Sequence, residues 1–140
     1  MGLIIRNDRF YGNNPSHQLV NYSTEEQIIG TWIDGKPIYQ KTIDCGAGPT
    51  GNNTAKSVAH NIANIDKVIS YDGISFYSDG ETFIKIPDVM NSDTNGTLGN
   101  LTIQVRVTIN KTNISLVSAG DRSSVFAKIY ITVQYTKTTD

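Results

Sequence analysis

The sequence predicts an all-β fold, an antiparallel β-sandwich of jelly-roll or meander type, and three observations carry that reading. Leu101, Ile103, Val105, Val107 and Ile109 alternate strictly with Thr102, Gln104, Arg106 and Thr108. That is the period of a strand with one face on a core and the other on water or a polar surface. Val125, Ala127, Ile129, Ile131, Val133 and Tyr135 alternate in the same way with Phe126, Lys128, Tyr130, Thr132 and Gln134. The aromatic residues in the second set imply that this outer face is partly covered too, as by another subunit. Finally, only 18% of residues are charged. Asn, Thr, Ser and Gly fill the polar positions, and these residues favour turns and strands over helices.

A chain of 140 residues is expected to form one domain with a real core. Residues 1–21 read as an N-terminal arm or junction and 22–140 as the domain. The net charge of −1 offers no attraction to nucleic acid or an anionic membrane. No long apolar run suits membrane insertion, and no charged and apolar leader is evident, so synthesis in a cytosol is expected. The single cysteine, Cys45, permits neither an intrachain disulfide nor a thiolate metal site from one chain. It is expected to be a small buried residue near a strand end.

Taken in order, Gly2–Arg6 reads as a short strand and Asn7–Ser16 as turn, with His17 alone on the surface. Ser23-Thr24-Glu25-Glu26-Gln27 offers overlapping capping boxes and predicts one helical turn before Gly30. Trp32-Ile33 and Lys36-Pro37-Ile38-Tyr39 flank Asp34-Gly35, which predicts a two-residue type I′ hairpin turn. In that register Ile33 faces Lys36 and Trp32 faces Pro37, Trp32 is core, and Pro37 marks a sheet edge. The second strand ends near Cys45. Gly46–Lys56 is a breaker-rich loop, either a mobile connection or a recognition loop. Ser57–Tyr71 reads as two strand pieces, with His60 exposed or satisfied locally. Asp72-Gly73 and Asp79-Gly80 read as turns, the second closing a hairpin between Ile74–Tyr77 and Thr82–Ile86. Pro87–Asn100 is a second polar loop. Asn110–Asn113 and Ala119–Arg122 turn the chain before its last strands.

No catalytic constellation emerges. Cys45 and the distant His60 make no dyad, and the Gly-rich loop lacks the spacing of a phosphate cradle. Asp34, Asp72 and Asp79 invite a calcium reading, yet the ligand spacing is absent and turn roles account for them. No cofactor or metal is expected. A glycan depolymerase would need a carboxylate pair. Asp66, Asp72, Asp79 and Glu81 cluster in sequence, but turns explain most of them, so an enzyme is not expected.

Two stretches carry a resemblance. YSTEEQIIGTWIDGKPIYQKTI, Tyr22 to Ile43, and the closing Tyr130, Thr132-Val133-Gln134-Tyr135-Thr136-Lys137-Thr138-Thr139-Asp140 resemble segments of bacteriophage tail proteins. They stand in the order seen near the distal end of tail fibres and receptor-binding proteins. The resemblance implies a β-sandwich tip domain of a tail fibre or baseplate protein, either an excised tip or a small virion protein. It implies a homotrimer, located in the virion and made in the bacterial cytoplasm. Its expected partners are other tail proteins and a host cell-surface receptor, a glycan or a protein. No motif of that family marks ligand residues. For a glycan, Tyr39, Tyr71 and Tyr77 are the stacking candidates, beside Trp32. Asn52, Asn53, Asp93, Asn95 and Arg122 are the candidates for hydroxyl recognition. The alternative is a structural virion module for trimerisation, assembly or decoration, with no ligand.

Overall fold

The computed structural model describes residues 22–87 and 105–140. Among these the chain forms strands and no helix. The strands are β1 (Gln27–Thr31), β2 (Pro37–Gly46), β3 (Lys56–Ala59), β4 (Ile65–Tyr77), β5 (Phe83–Ile86), β6 (Arg106–Ile109), β7 (Asn113–Val117) and β8 (Phe126–Lys137). Five form one antiparallel sheet in the order β1-β2-β8-β4-β5, and three form a second in the order β3-β7-β6. One apolar cluster draws on both sheets. Ile43, Ile129, Ile131 and Val133 come from the larger, Val107, Ile114 and Leu116 from the smaller.

β8 is the centre of this arrangement. Its inward residues Ile129, Ile131, Val133 and Tyr135 are fully buried, as the alternation predicts. Each of the three aliphatic ones contributes about 1.5–3 kcal/mol of burial. Its two edges pair with β2 over Tyr39–Gly46 and with β4 over Ile65–Tyr77. The larger sheet is therefore not a simple meander, because the last strand sits between the second and the fourth. The alternation slips at the start of β8. Phe126 is buried and Ala127 exposed, the reverse of the expected phase. The ladders shift there too, with Phe76 opposite Lys128 but Tyr77 opposite Phe126. A bulge adds one residue to a strand and so exchanges the faces beyond it.

The strand expected over Leu101–Ile109 appears as β6. Val105 and Val107 are buried while Arg106 and Thr108 are exposed. Leu101 and Ile103, like most of the Pro87–Asn100 loop and the arm, lie outside the described residues.

Several local expectations are corrected. Ser23–Gln27 is not helical; the Glu25 N–H donates to Ser23 Oγ at 3.0 Å in a short turn, and Gln27 already starts β1. The first hairpin has an Ile33-Asp34-Gly35 loop. The Gly35 N–H donates to Trp32 O at 2.9 Å, and the Trp32 N–H to Lys36 O at 2.8 Å. Only Gly35 takes positive φ, at 89°. Asp34 avoids the left-handed region and accepts the Lys36 N–H instead, at 3.1 Å. That is the three-residue loop with a glycine bulge, and it shifts the register so that Thr31, not Trp32, faces Pro37. Pro37 opens β2 ahead of the ladder with β8, which begins at Tyr39; β2 as a whole is an interior strand, and the edges of the sheet are β1 and β5. Trp32 is half-buried and stands outside the core cluster.

Asp79-Gly80 closes the β4–β5 hairpin as expected, with the Asp79 carboxylate accepting the Glu81 and Thr82 N–H groups at 2.8 and 2.9 Å. Asp72-Gly73 is no turn: β4 runs straight through it. Glycine is required there by close approach. A Cβ on Gly73 would lie 2.4 Å from Ile131 Cδ1 and 2.8 Å from the Tyr130 carbonyl oxygen. The 47–55 loop is no loose connection, since it is bonded to the approach to β8. The Gly48 N–H donates to Phe126 O and the Arg122 N–H to Pro49 O, while the Asn52 and Asn53 N–H groups donate to Ala119 O and Ser118 O.

Gly73→Ala is expected to cost about 1–3 kcal/mol through overpacking, read as a lower urea midpoint with unchanged slope. Gly30→Ala, whose new Cβ meets nothing nearer than Ile38 Cδ1 at 3.9 Å, is expected to stay within about 0.5 kcal/mol of wild type.

Candidate functional site

Alternation leaves the larger sheet with an outward face built by the residues between the core positions. Along β8 these are Tyr130, Thr132 and Gln134, all half-buried. β2 sets Thr42 opposite Thr132 and Gln40 opposite Gln134. β4 sets Ser70 opposite Gln134, Asp72 opposite Thr132 and Ile74 opposite Tyr130. The cross-strand pairs are bonded: Thr42 Oγ1 and Thr132 Oγ1 lie 2.8 Å apart, and Gln134 Nε2 donates to Gln40 Oε1 at 3.0 Å. A shallow groove of about 710 Å³ runs over these residues, with Tyr22 and Lys85 also on its wall. That size falls within the range of small-ligand clefts.

One end of this face is aromatic. The Phe76 ring meets Phe83 edge-on at 5.4 Å and Tyr130 at 5.7 Å. Ile74 and Phe76 are each 37% exposed and Phe83 59%, so this is a patch open to a partner. Its charges are matched across strands. Lys85 lies 3.5 Å from Asp72, and Lys128 2.8 Å from Asp44. The hydrogen bond from Lys128, helped by the Gly46 N–H, holds the Asp44 carboxyl below the usual range, and the same bond raises Lys128.

The sequence candidates are dispersed by comparison. Tyr39 and Tyr77 pack against the core, while Tyr71, opposite the inward Val133, stays 36% exposed. Tyr39 stacks on Tyr135 at 5.8 Å, and the Lys137 ammonium sits 4.8 Å from the Tyr39 ring centre. Tyr77 packs on Phe126 at 5.1 Å. The Tyr71 hydroxyl donates to Val107 O at 3.2 Å, tying one sheet to the other. Asn52 and Asn53 are exposed left-handed turn residues, with φ of 54° and 55°. Arg122 lies across from them in the adjoining segment, its Nε buried without a hydrogen-bond partner. Asp93 and Asn95 lie outside the described residues. The structure thus brings Asn52, Asn53 and Arg122 onto adjoining segments, with Tyr77 reaching that region only through Phe126, whose N–H donates to Arg122 O. Sequence reasoning saw the outward set of β8 as a covered face but did not name Tyr130, Thr132 or Gln134 as contacts. The aromatic and polar residues alternating there were the available signal.

Several other titratable groups have structural partners. Burial pushes the Cys45 thiol up to about 11, so it is a poor nucleophile. His60 is buried, not exposed. Its Nδ1 accepts the Ile62 N–H at 3.1 Å, so the ring's N–H sits on Nε2, 3.0 Å from Asn110 O. The sequence neighbour Ile62 satisfies one side, and a turn distant in the chain satisfies the other. Asp66, Asp79 and Asp121 are held low chiefly by side-chain hydrogen bonds from Lys36, Thr82 and Ser123. Glu26 accepts from the buried Tyr135 hydroxyl at 2.5 Å and from Lys137 at 2.6 Å. Burial acts to raise Glu26, but those two hydrogen bonds outweigh it and the carboxyl is lowered overall. Burial, then the bond to Glu26, pushes the Tyr135 phenol up. Among the described residues no group of three His, Cys, Asp or Glu side chains gathers to hold a metal ion. Comparison with known proteins finds no matching family model, no matching curated protein and no matching solved structure.

Glu26→Gln is expected to cost about 1–2 kcal/mol at neutral pH, the worth of a charge-assisted hydrogen bond reduced for partial exposure. Because the folded Glu26 titrates below its ordinary 4.5, its contribution is complete above that value and is lost as pH falls through the folded one. The gap in urea midpoint between wild type and E26Q is therefore constant down to about pH 5 and closes below it. His60→Ala strands the Ile62 N–H and the Asn110 carbonyl, and is expected to cost about 2 kcal/mol by the same measurement.

Proposed function

We propose that this chain is a receptor-binding module of a bacteriophage tail, a trimeric β-sandwich tip whose ligand is a glycan on the host cell surface. The observation that carries the binding half of this reading is the outward face of the larger sheet. There an aromatic end, with Phe76 and Tyr130, adjoins a floor of hydroxyl and amide groups over a groove of about 710 Å³. Sugar rings offer apolar C–H faces for stacking and hydroxyls for polar contacts, and this face supplies counterparts for both. The face rests on central strands paired on both edges, so it is pre-ordered and little conformational entropy is lost on binding. The tail assignment is supported by the two stretches, Tyr22–Ile43 and Tyr130–Asp140, that resemble tail tips. Virion location, tail-protein partners and the absence of catalysis belong to the same proposal.

A second reading has its own observation. Ile74, Phe76 and Phe83 remain exposed as a contiguous apolar end, and such patches also mark contacts between subunits. In that reading the chain is an assembly module of the virion.

Two measurements check these readings. The purified chain is expected to bind host wall polysaccharide in a sedimentation assay, with Tyr130→Ala lowering the affinity at least about tenfold at unchanged stability. Unaltered binding by Y130A would remove the face from the argument. Light scattering coupled to size exclusion is expected to give the mass of three 15.4 kDa chains. Loss of that mass in Phe83→Ser, with polysaccharide binding absent from wild type, would favour the assembly reading.

A further inference from the structure

We infer that the groove on the outward face of the β2-β8-β4 sheet takes an uncharged polysaccharide, one sugar ring on Tyr130 beside Phe76 and the chain continuing over Thr132, Gln134 and Ser70. This rests on the binding-module reading and specifies its ligand.

Charge comes first. The described groove wall carries one acid and one base, Asp72 and Lys85, and these face each other at 3.5 Å. The next charges along the face, Asp44 and Lys128, are likewise paired, at 2.8 Å. A polyanion such as a uronate or a phosphate-linked wall polymer draws its affinity from cations whose charge is free to neutralise it. Here each lysine is paired with a carboxylate on the neighbouring strand, and the described residues of the wall carry no net charge.

Hydrogen-bonding character agrees. Carboxylates and phosphates only accept, and proteins usually meet them with guanidinium groups or a concave row of free backbone N–H groups. The floor of this groove is the middle of a sheet, where β8 pairs with β2 on one edge and β4 on the other. Its backbone N–H groups are committed to those ladders. What faces outward is bifunctional. A threonine or serine hydroxyl both donates and accepts, and so does a glutamine amide. Thr132 and Thr42 share one hydrogen between their oxygens at 2.8 Å, which leaves the pair with capacity for a second donor and further acceptors. Ser70 is exposed beside Gln134. Sugar hydroxyls have the same dual character.

Geometry supplies the direction. Outward residues of one strand stand about 7 Å apart, so Tyr130, Thr132 and Gln134 form a row running from the aromatic end to the amide end. Phe76 flanks Tyr130 at 5.7 Å with the two rings inclined by 61°, so Tyr130 offers the stacking ring and Phe76 bounds it on one side.

The test uses the full chain against immobilised neutral polymers (dextran, mannan, galactan, rhamnan) and acidic ones (polygalacturonate, alginate, poly(glycerol phosphate)). Affinity is read by biolayer interferometry. Binding to at least one neutral polymer is expected, with less than about a twofold change between 50 and 500 mM salt. Thr132→Val and Tyr130→Ala are expected to weaken it about tenfold or more. Thermal melts of each variant separate lost contacts from lost fold. Binding confined to the acidic polymers, falling about tenfold or more over that salt range, would overturn the uncharged class and leave the binding module standing. Neutral binding untouched by T132V and Y130A would overturn the groove as its site. Binding to no polymer by a protein that melts cooperatively would overturn both this inference and the glycan reading beneath it.

Discussion

The placement of β8 between β2 and β4 is the constraint on which the rest depends. A strand in the middle of a sheet must satisfy N–H and C=O groups on both edges, and its register is therefore fixed twice. β8 meets that demand with Tyr135 opposite Tyr39 on one side and opposite Val68 on the other. Its inward side chains are the floor of the shared core, and a slip by one residue would send Ile129, Ile131 and Val133 to water. The polar contacts at the end of β8 reinforce the same register. The Tyr135 hydroxyl and the Lys137 ammonium meet Glu26, and Lys36 donates to the Lys137 carbonyl at 3.0 Å while pairing with Asp66. These bonds tie the edge hairpin β1–β2 and the start of β4 to the last strand.

The same constraint shapes the outer face. Because the inner side chains of β8 and β4 are spent on the core, anything offered to a partner must come from the intervening positions. Those positions hold hydroxyls, amides and aromatic rings, with lysines and aspartates matched across strands. Gly73 belongs to this logic as well. By omitting a side chain it lets β4 approach Ile131 and Tyr130 closely enough to complete the sheet beneath the groove.

Much of the local structure is legible in the sequence. Strict alternation marks the inner and outer faces of β6 and of β8 from Ile129 to Tyr135, and Asp79-Gly80 and Asn110–Asn113 close the hairpins expected of them, because an Asp or Asn side chain can bond its own turn. The misreadings have physical causes. Asp72-Gly73 has turn chemistry, but glycine also serves close packing, and sequence does not distinguish the two uses. Asp34-Gly35 makes a turn, yet the loop length depends on whether Asp34 accepts positive φ, and a bond to the Lys36 N–H decides against it. His60, expected exposed or satisfied locally, is satisfied locally only on one side, by Ile62, because its other partner, Asn110, is distant in the chain. Aromatic residues serve cores and binding faces alike, and only the phase of β2 and β4 against β8 shows that Tyr39 and Tyr77 pack on the core while Tyr71 stays exposed at its margin.

By itself, then, the sequence determined the all-β class, which side chains share a face and where several turns fall. All of these depend on period and on neighbours a few residues apart. The tertiary structure alone decided that β8 enters between β2 and β4, that the 47–55 loop docks beside Arg122, and that Tyr130, Thr132 and Gln134 gather with Ser70 over one groove. Alternation says which way a side chain points relative to its own strand. It carries no information about which strand lies alongside, and the candidate site is made of that adjacency.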